Sequence, residues 1–140
     1  MFGYGDPSAD NFSEDESDYP NVDIVNTDFD IAKNIWGGRW RMPTTLELDE
    51  LRTKCQWTKI TRDGIKGELI TGPNGNSIFL PFAGVRTGIN TFRKGQWGMY
   101  RSGTLSKFGS SVSLFINSPS IDYGESSCNG LSVRPVQSKE

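Results

Sequence analysis

The chain has 140 residues, enough for one domain with one modest core, and its 8 Phe, 4 Trp and 4 Tyr make rings the large pieces of that core. A net charge of −2 without a basic block argues against non-specific nucleic-acid binding, and no run approaches the roughly 20 apolar residues of a membrane helix. The absence of histidine removes the commonest general base, the commonest zinc ligand and the Ser-His and Cys-His nucleophile pairs.

Residues 1–22 are polar and acidic, with "SEDESD" at 13–18. Such a run reads as a solvated segment. A calcium site is the sharper alternative, although the D-x-D-x-D-G spacing of calcium loops is missing. No leader peptide is visible at the start. The domain proper is expected over 23–140.

"NTDFDIAKNI" at 26–35 predicts a short helix capped by Asn26, Thr27 or Asp28, with Phe29, Ala32 and Ile35 on one face. "WGGRWRMP" follows and cannot continue it, because Gly37 and Gly38 permit unusual φ and Pro43 lacks a donor. This stretch is read as framework, with the indoles of Trp36 and Trp40 in the core and an arginine tying down carbonyls or a carboxylate. The competing reading is a stacking platform for a cation or a sugar, built by Trp36 and Trp40 with Arg39 and Arg41.

"TTLELDELRTKC" at 44–55 is the clearest helix. Thr44 and Glu47 form a capping-box pattern, and Leu48, Leu51 and Cys55 make one apolar stripe. Strands are then expected at "CQWTKIT" (55–61), "GELITG" (67–72), "SIFLPFAG" (77–84), "VSLFIN" (112–117) and "LSVRPV" (131–136), the last near an edge because of its proline. "GPNGN" between the second and third is a hairpin signal. Helices first and short antiparallel strands after read as α+β with a loop-rich second half. Arg86 and Arg134 are expected to be structural, Arg134 in an ion pair. Cys55 and Cys128 either pair, closing a loop of about 70 residues, or stay separate thiols.

Together "WGGRWRMPT", "ELDEL", "CQW", "NGNSIFLPFAGVR" and "GLSVRPV" resemble the Fib-succ-major (FISUMP) paralogous domain, a family abundant in gut Bacteroidetes. The match runs from about Asp28 to Val136. The resemblance implies a C-type lectin-like fold, akin to formylglycine-generating enzymes and to the variable proteins of diversity-generating retroelements. It implies two short helices, small twisted antiparallel sheets, long loops, chain ends close together, and a ligand face before the last strand. The chain departs from the family pattern at "MYRSG", where Arg101 replaces a usual Trp and Gly103 a usual Ser. It departs again at "ESSCN", where an Arg is common.

Between Ser102 and Ser127 serine occurs nine times, mixed with isolated rings and charges. Such mixtures resemble antibody paratopes, where rings give contact area at low entropy cost and small polar residues adapt their hydrogen bonds. An ordinary long surface loop pair is the plainer reading. With the family resemblance, the expected ligand-binding residues are Tyr100, Arg101, Ser102, Ser106, Lys107, Phe108, Asn117, Ser120, Asp122, Tyr123, Glu125, Ser126 and Asn129. The expected function is an adhesin- or receptor-type module on a cell or phage surface, with a protein or glycan partner and no cofactor or metal. If a retroelement diversifies it, substitutions gather on this face and spare Gly130–Val136. One alternative is a structural domain of a larger surface protein. A formylglycine-type enzyme would need a copper-holding cysteine pair, and carboxylate chemistry would fall to Glu68, Asp122 and Glu125. The calcium-dependent Glu-Pro-Asn and Gln-Pro-Asp sugar signatures are both absent.

Overall fold

A computed structural model describes residues 23–105, 110–126 and 129–139, apart from the side chain of Glu125. The acidic run at 13–18 therefore lies outside the described residues.

The fold is α+β. Two helices, α1 (Ile31–Trp36) and α2 (Thr45–Lys54), are followed by small antiparallel sheets. Strands β2 (Gln56–Arg62), β3 (Ile65–Thr71) and β4 (Ser77–Pro81) form a three-stranded meander. Strands β5 (Val85–Thr87) and β6 (Asn90–Phe92) form a short hairpin, and β7 (Met99–Leu105), β8 (Ser111–Phe115) and β9 (Ser120–Glu125) a second meander. The early strand β1 (Trp40–Arg41) pairs with the last, β10 (Val136–Gln137), which closes the domain on itself.

Helix α2 forms where expected. The Thr44 hydroxyl accepts from the Glu47 N–H, and the Glu47 carboxylate accepts from the Thr44 N–H, so the capping box is complete. Leu48 is buried, and Leu51 and Cys55 pack beside it against Ile70, Leu80, Tyr100, Leu114 and Ile116. This main core lies between α2 and the two meanders. The turn between β3 and β4 closes at Gly72–Asn76, with Gly75 rather than Asn74 taking the positive φ of 82°.

Helix α1 differs from expectation. It starts at Ile31, and its cap is Asp30. The Asp30 carboxylate is fully buried and accepts from the N–H groups of Asn26, Ala32, Lys33 and Met42. A side chain that serves both a helix start and β1's flank outcompetes the three local cap candidates. Only Ala32 of the anticipated face is buried; Phe29 and Ile35 are exposed. Ala32 joins Ile24 and Met42 in a second small core, with Ile31, Leu105 and Val133 packed against it.

Two further strand expectations change. The stretch Met99–Leu105, expected within a loop-rich region, forms β7, because each of its edges has a partner: β8 on one side and the chain at Ser132 on the other. Conversely, "LSVRPV" is not a continuous strand. Leu131 is fully buried, but pairing is confined to single bridges at Gly130 and Ser132 until β10 begins at Val136.

Candidate ligand face

The expected face divides into a buried part and a displayed part. Tyr100, Arg101 and Ser102 lie in β7 and are all buried, Arg101 at 1 % exposure. The cause is the position of β7. The Arg101 N–H donates to Ser132 O, the Gly103 N–H to Pro43 O, and β8 takes the opposite edge. The Tyr100 hydroxyl donates to Pro81 O at 2.8 Å, and burial pushes its phenol above the usual range, with Arg134 opposing. The Ser102 hydroxyl meets Thr45 Oγ1 at 2.9 Å and donates to Val112 O at 2.8 Å, which ties β7 to α2 and β8. These three residues are framework, which corrects their expected place on an exposed surface.

Arg101 stands opposite Ser113, and Ser113 opposite Asp122, in one row across the second meander. The row runs from a fully buried guanidinium to a half-exposed carboxylate at the free edge. The Asp122 Oδ1 accepts from the Gly124 N–H at 2.8 Å, a local bond that shapes the strand end.

Asn117 is also structural. Its Oδ1 accepts from the Gly98 N–H at 2.9 Å, and its Nδ2 donates to Gln96 O, so one amide holds the approach to β7 in place. Ser120, Asp122 and Tyr123 share the edge strand β9, and Tyr123 is 61 % exposed. After β9 the Asn129 N–H donates to Ser126 O. The Asn129 Oδ1 accepts from Thr87 Oγ1 at 3.0 Å, which links Asn129 to the β5–β6 hairpin. Ser106, Lys107, Phe108 and the Glu125 side chain lie outside the described residues.

Several displayed residues were not anticipated. Ile89 and Phe92 are exposed on the β5–β6 hairpin. Trp97 is partly exposed, packs edge-on against Phe115 at 5.8 Å and carries the Arg93 guanidinium 5.1 Å over its ring. The only sequence signal for them is apolar residues set singly in "TGINTFRKGQW", a glycine-containing turn region that cannot bury them all.

The tryptophan-rich stretch also departs from expectation. Arg41 does act as framework: its guanidinium grips Glu47 at 2.6 and 2.9 Å and also donates to Met42 O and Ser138 Oγ. The indoles are not core. Trp36 is 56 % exposed, Trp40 is half-buried, and the rings meet edge-to-face at 4.9 Å. Helix α1 is capped by Gly37, whose φ of 66° only glycine adopts readily, and this leaves Trp36 as its last residue at the surface. Arg134, beside these rings, is exposed and makes no ion pair among the described residues. Arg86 does hold framework, donating from Nε to Gly88 O and pairing through its backbone with Gly130. Cys55 is a free thiol, and Cys128 lies outside the described residues.

Among the described residues no cluster of three or more His, Cys, Asp or Glu is placed to hold a metal ion. The chain matches no protein-family model, no curated protein and no solved structure.

Proposed function

We propose that the chain is a ligand-binding module of the Fib-succ-major type with a C-type lectin-like fold. It displays β9, Asn129 and the β5–β6 hairpin to a protein or glycan on a cell or phage surface. The observation that carries the reading is Tyr123, a ring 61 % exposed on an edge strand whose neighbouring strands are buried. Exposed Ser120 and Gly124 surround it on the same strand. A rigid amphipathic ring among small polar residues is a low-entropy contact surface. The pairing of β1 with β10 and the two short helices support the fold assignment. The proposal assigns no catalytic step and no cofactor.

The test is sequencing of the same locus from independent isolates. Substitutions are expected at Ser120, Asp122, Tyr123 and Asn129, with Arg101, Ser102 and Asp30 fixed. Arg101 varying as freely as Tyr123 would refute a displayed face with a buried support. Uniform scatter over all exposed positions would favour a structural domain without a ligand of its own.

A further inference from the structure

A groove of about 540 Å³ lies between α1 and the chain that follows Gly130. Ile35, Trp36 and Trp40 line one side, Val133 and Pro135 the other, and Arg134 is the one charged residue in it. Arg134 is exposed, with no hydrogen bond or ion pair among the described residues. The groove is thus apolar apart from one guanidinium.

This chemistry selects against a sugar. A saccharide carries a hydroxyl on almost every carbon, and tight recognition needs several placed polar partners for those that lose water. The groove offers one polar side chain to meet them. An aromatic side chain flanked by carboxylates fits better, because the ring packs on the indoles while a carboxylate takes the Arg134 fork.

The chain itself carries such a sequence. Residues 1–22 hold six of the 17 acids, none of the 15 bases, and the rings Phe2, Tyr4, Phe12 and Tyr19. The segment has a charge of −6, and the remaining residues therefore carry +4. It joins the domain beside the groove: Ile24 packs against Ala32, with Ile31 and Val133 against the same cluster, and all three of these line the slot. Tyr19 precedes Ile24 by five residues, a reach of up to about 17 Å when extended. A tether this short gives an effective concentration on the order of millimolar. We propose that the groove is the docking site for the chain's own acidic N-terminal segment, with a ring between Trp36 and Val133 and adjoining carboxylates on Arg134. The proposal is independent of the β9 face.

The test is acrylamide quenching of tryptophan fluorescence in the full chain at low ionic strength. Each protein is measured with and without Trp36→Phe, which isolates the Trp36 signal by difference. Trp36 is expected to be quenched at least threefold more slowly in the parent chain than in Phe12→Ala/Tyr19→Ala or in Arg134→Glu. Adding Glu14→Lys, Asp15→Lys and Glu16→Lys to Arg134→Glu is expected to restore protection. All altered positions in the domain are exposed, and circular dichroism confirms that each variant is folded. Equal quenching in the parent and both variants overturns the proposal. Protection that disappears on dilution also overturns it, by assigning the groove to a second copy.

Discussion

Replacing Asp30 with Ala tests the logic of the N-terminal half. The carboxylate serves four backbone N–H groups, of which those of Ala32 and Met42 belong to buried residues. Asn26 and Lys33 can turn to water once Asp30 is gone, whereas the buried pair cannot. Each orphaned buried donor costs about 1–3 kcal/mol, and loss of a helix cap about 1 kcal/mol, partly the same bonds. The expected loss is therefore about 4 kcal/mol, read as the shift in urea midpoint times an unchanged slope. Because Asp30 ties α1 to the flank of β1, the Trp36–Trp40 contact should loosen as well, seen as a change in near-ultraviolet dichroism at native conditions. Asp30→Asn should recover only part of the loss, since its amide places a donor against other donors. A loss of 1 kcal/mol or less in the alanine variant would refute the view that one buried carboxylate holds the helix start and β1 together.

The two shifted carboxylates have opposite pH signatures. The Arg41 guanidinium beside Glu47 holds its carboxyl below the usual 4.5, so the stability it contributes is present above pH 4.5 and is lost as pH falls through the lowered folded value. Glu47→Gln should flatten urea midpoints in that acid range. Burial raises the Glu68 carboxyl above 4.5, with Lys59 opposing, so its ionisation erodes stability as pH rises from 4.5 through the raised folded value. Glu68→Gln should therefore raise the midpoint at pH 7 and change it little at pH 4; a lower midpoint at pH 7 would contradict the burial argument. Gly84 has φ 77°, and a Cβ there would meet Phe92 O at 2.3 Å, so Gly84→Ala should destabilise by more than the roughly 1 kcal/mol of a tolerated glycine change, measured by thermal melting.

Features that depend on neighbours in sequence were legible. The Thr44–Glu47 box, the Leu48–Leu51–Cys55 stripe and the 72–76 turn each complete themselves within a few residues. Features decided by distant partners were not. Asn26, Thr27 and Asp28 are all plausible caps, and Asp30 prevails because Met42, twelve residues away, supplies a further donor. The Met99–Leu105 stretch, broken by Gly103 and short of β-branched residues, has weak strand propensity, yet β8 and Ser132 pair both its edges and hold it extended. Ring density suggested that Trp36 is core, but the exposure of a ring depends on where the helix stops, and Gly37 stops it at the surface.

The same distinction decides which residues of the serine-rich region can belong to a binding face. Composition treats Arg101 and Tyr123 alike, as a charge and a ring among serines. The structure separates them by 60 percentage points of exposure, 1 % against 61 %. Truncating Arg101 removes a large, fully buried side chain and leaves a cavity, a change that costs about 2–5 kcal/mol in cores. Truncating Tyr123 touches a surface position and should stay within about 0.5 kcal/mol. Chemical denaturation of Arg101→Ala and Tyr123→Ala side by side gives the comparison. Equal stabilities would place Arg101 at the surface and return it to the ligand face. The expected gap instead leaves β9 as the strand open to the proposed ligand, while β7 beneath supplies the rigidity that lets exposed side chains change without loss of the fold.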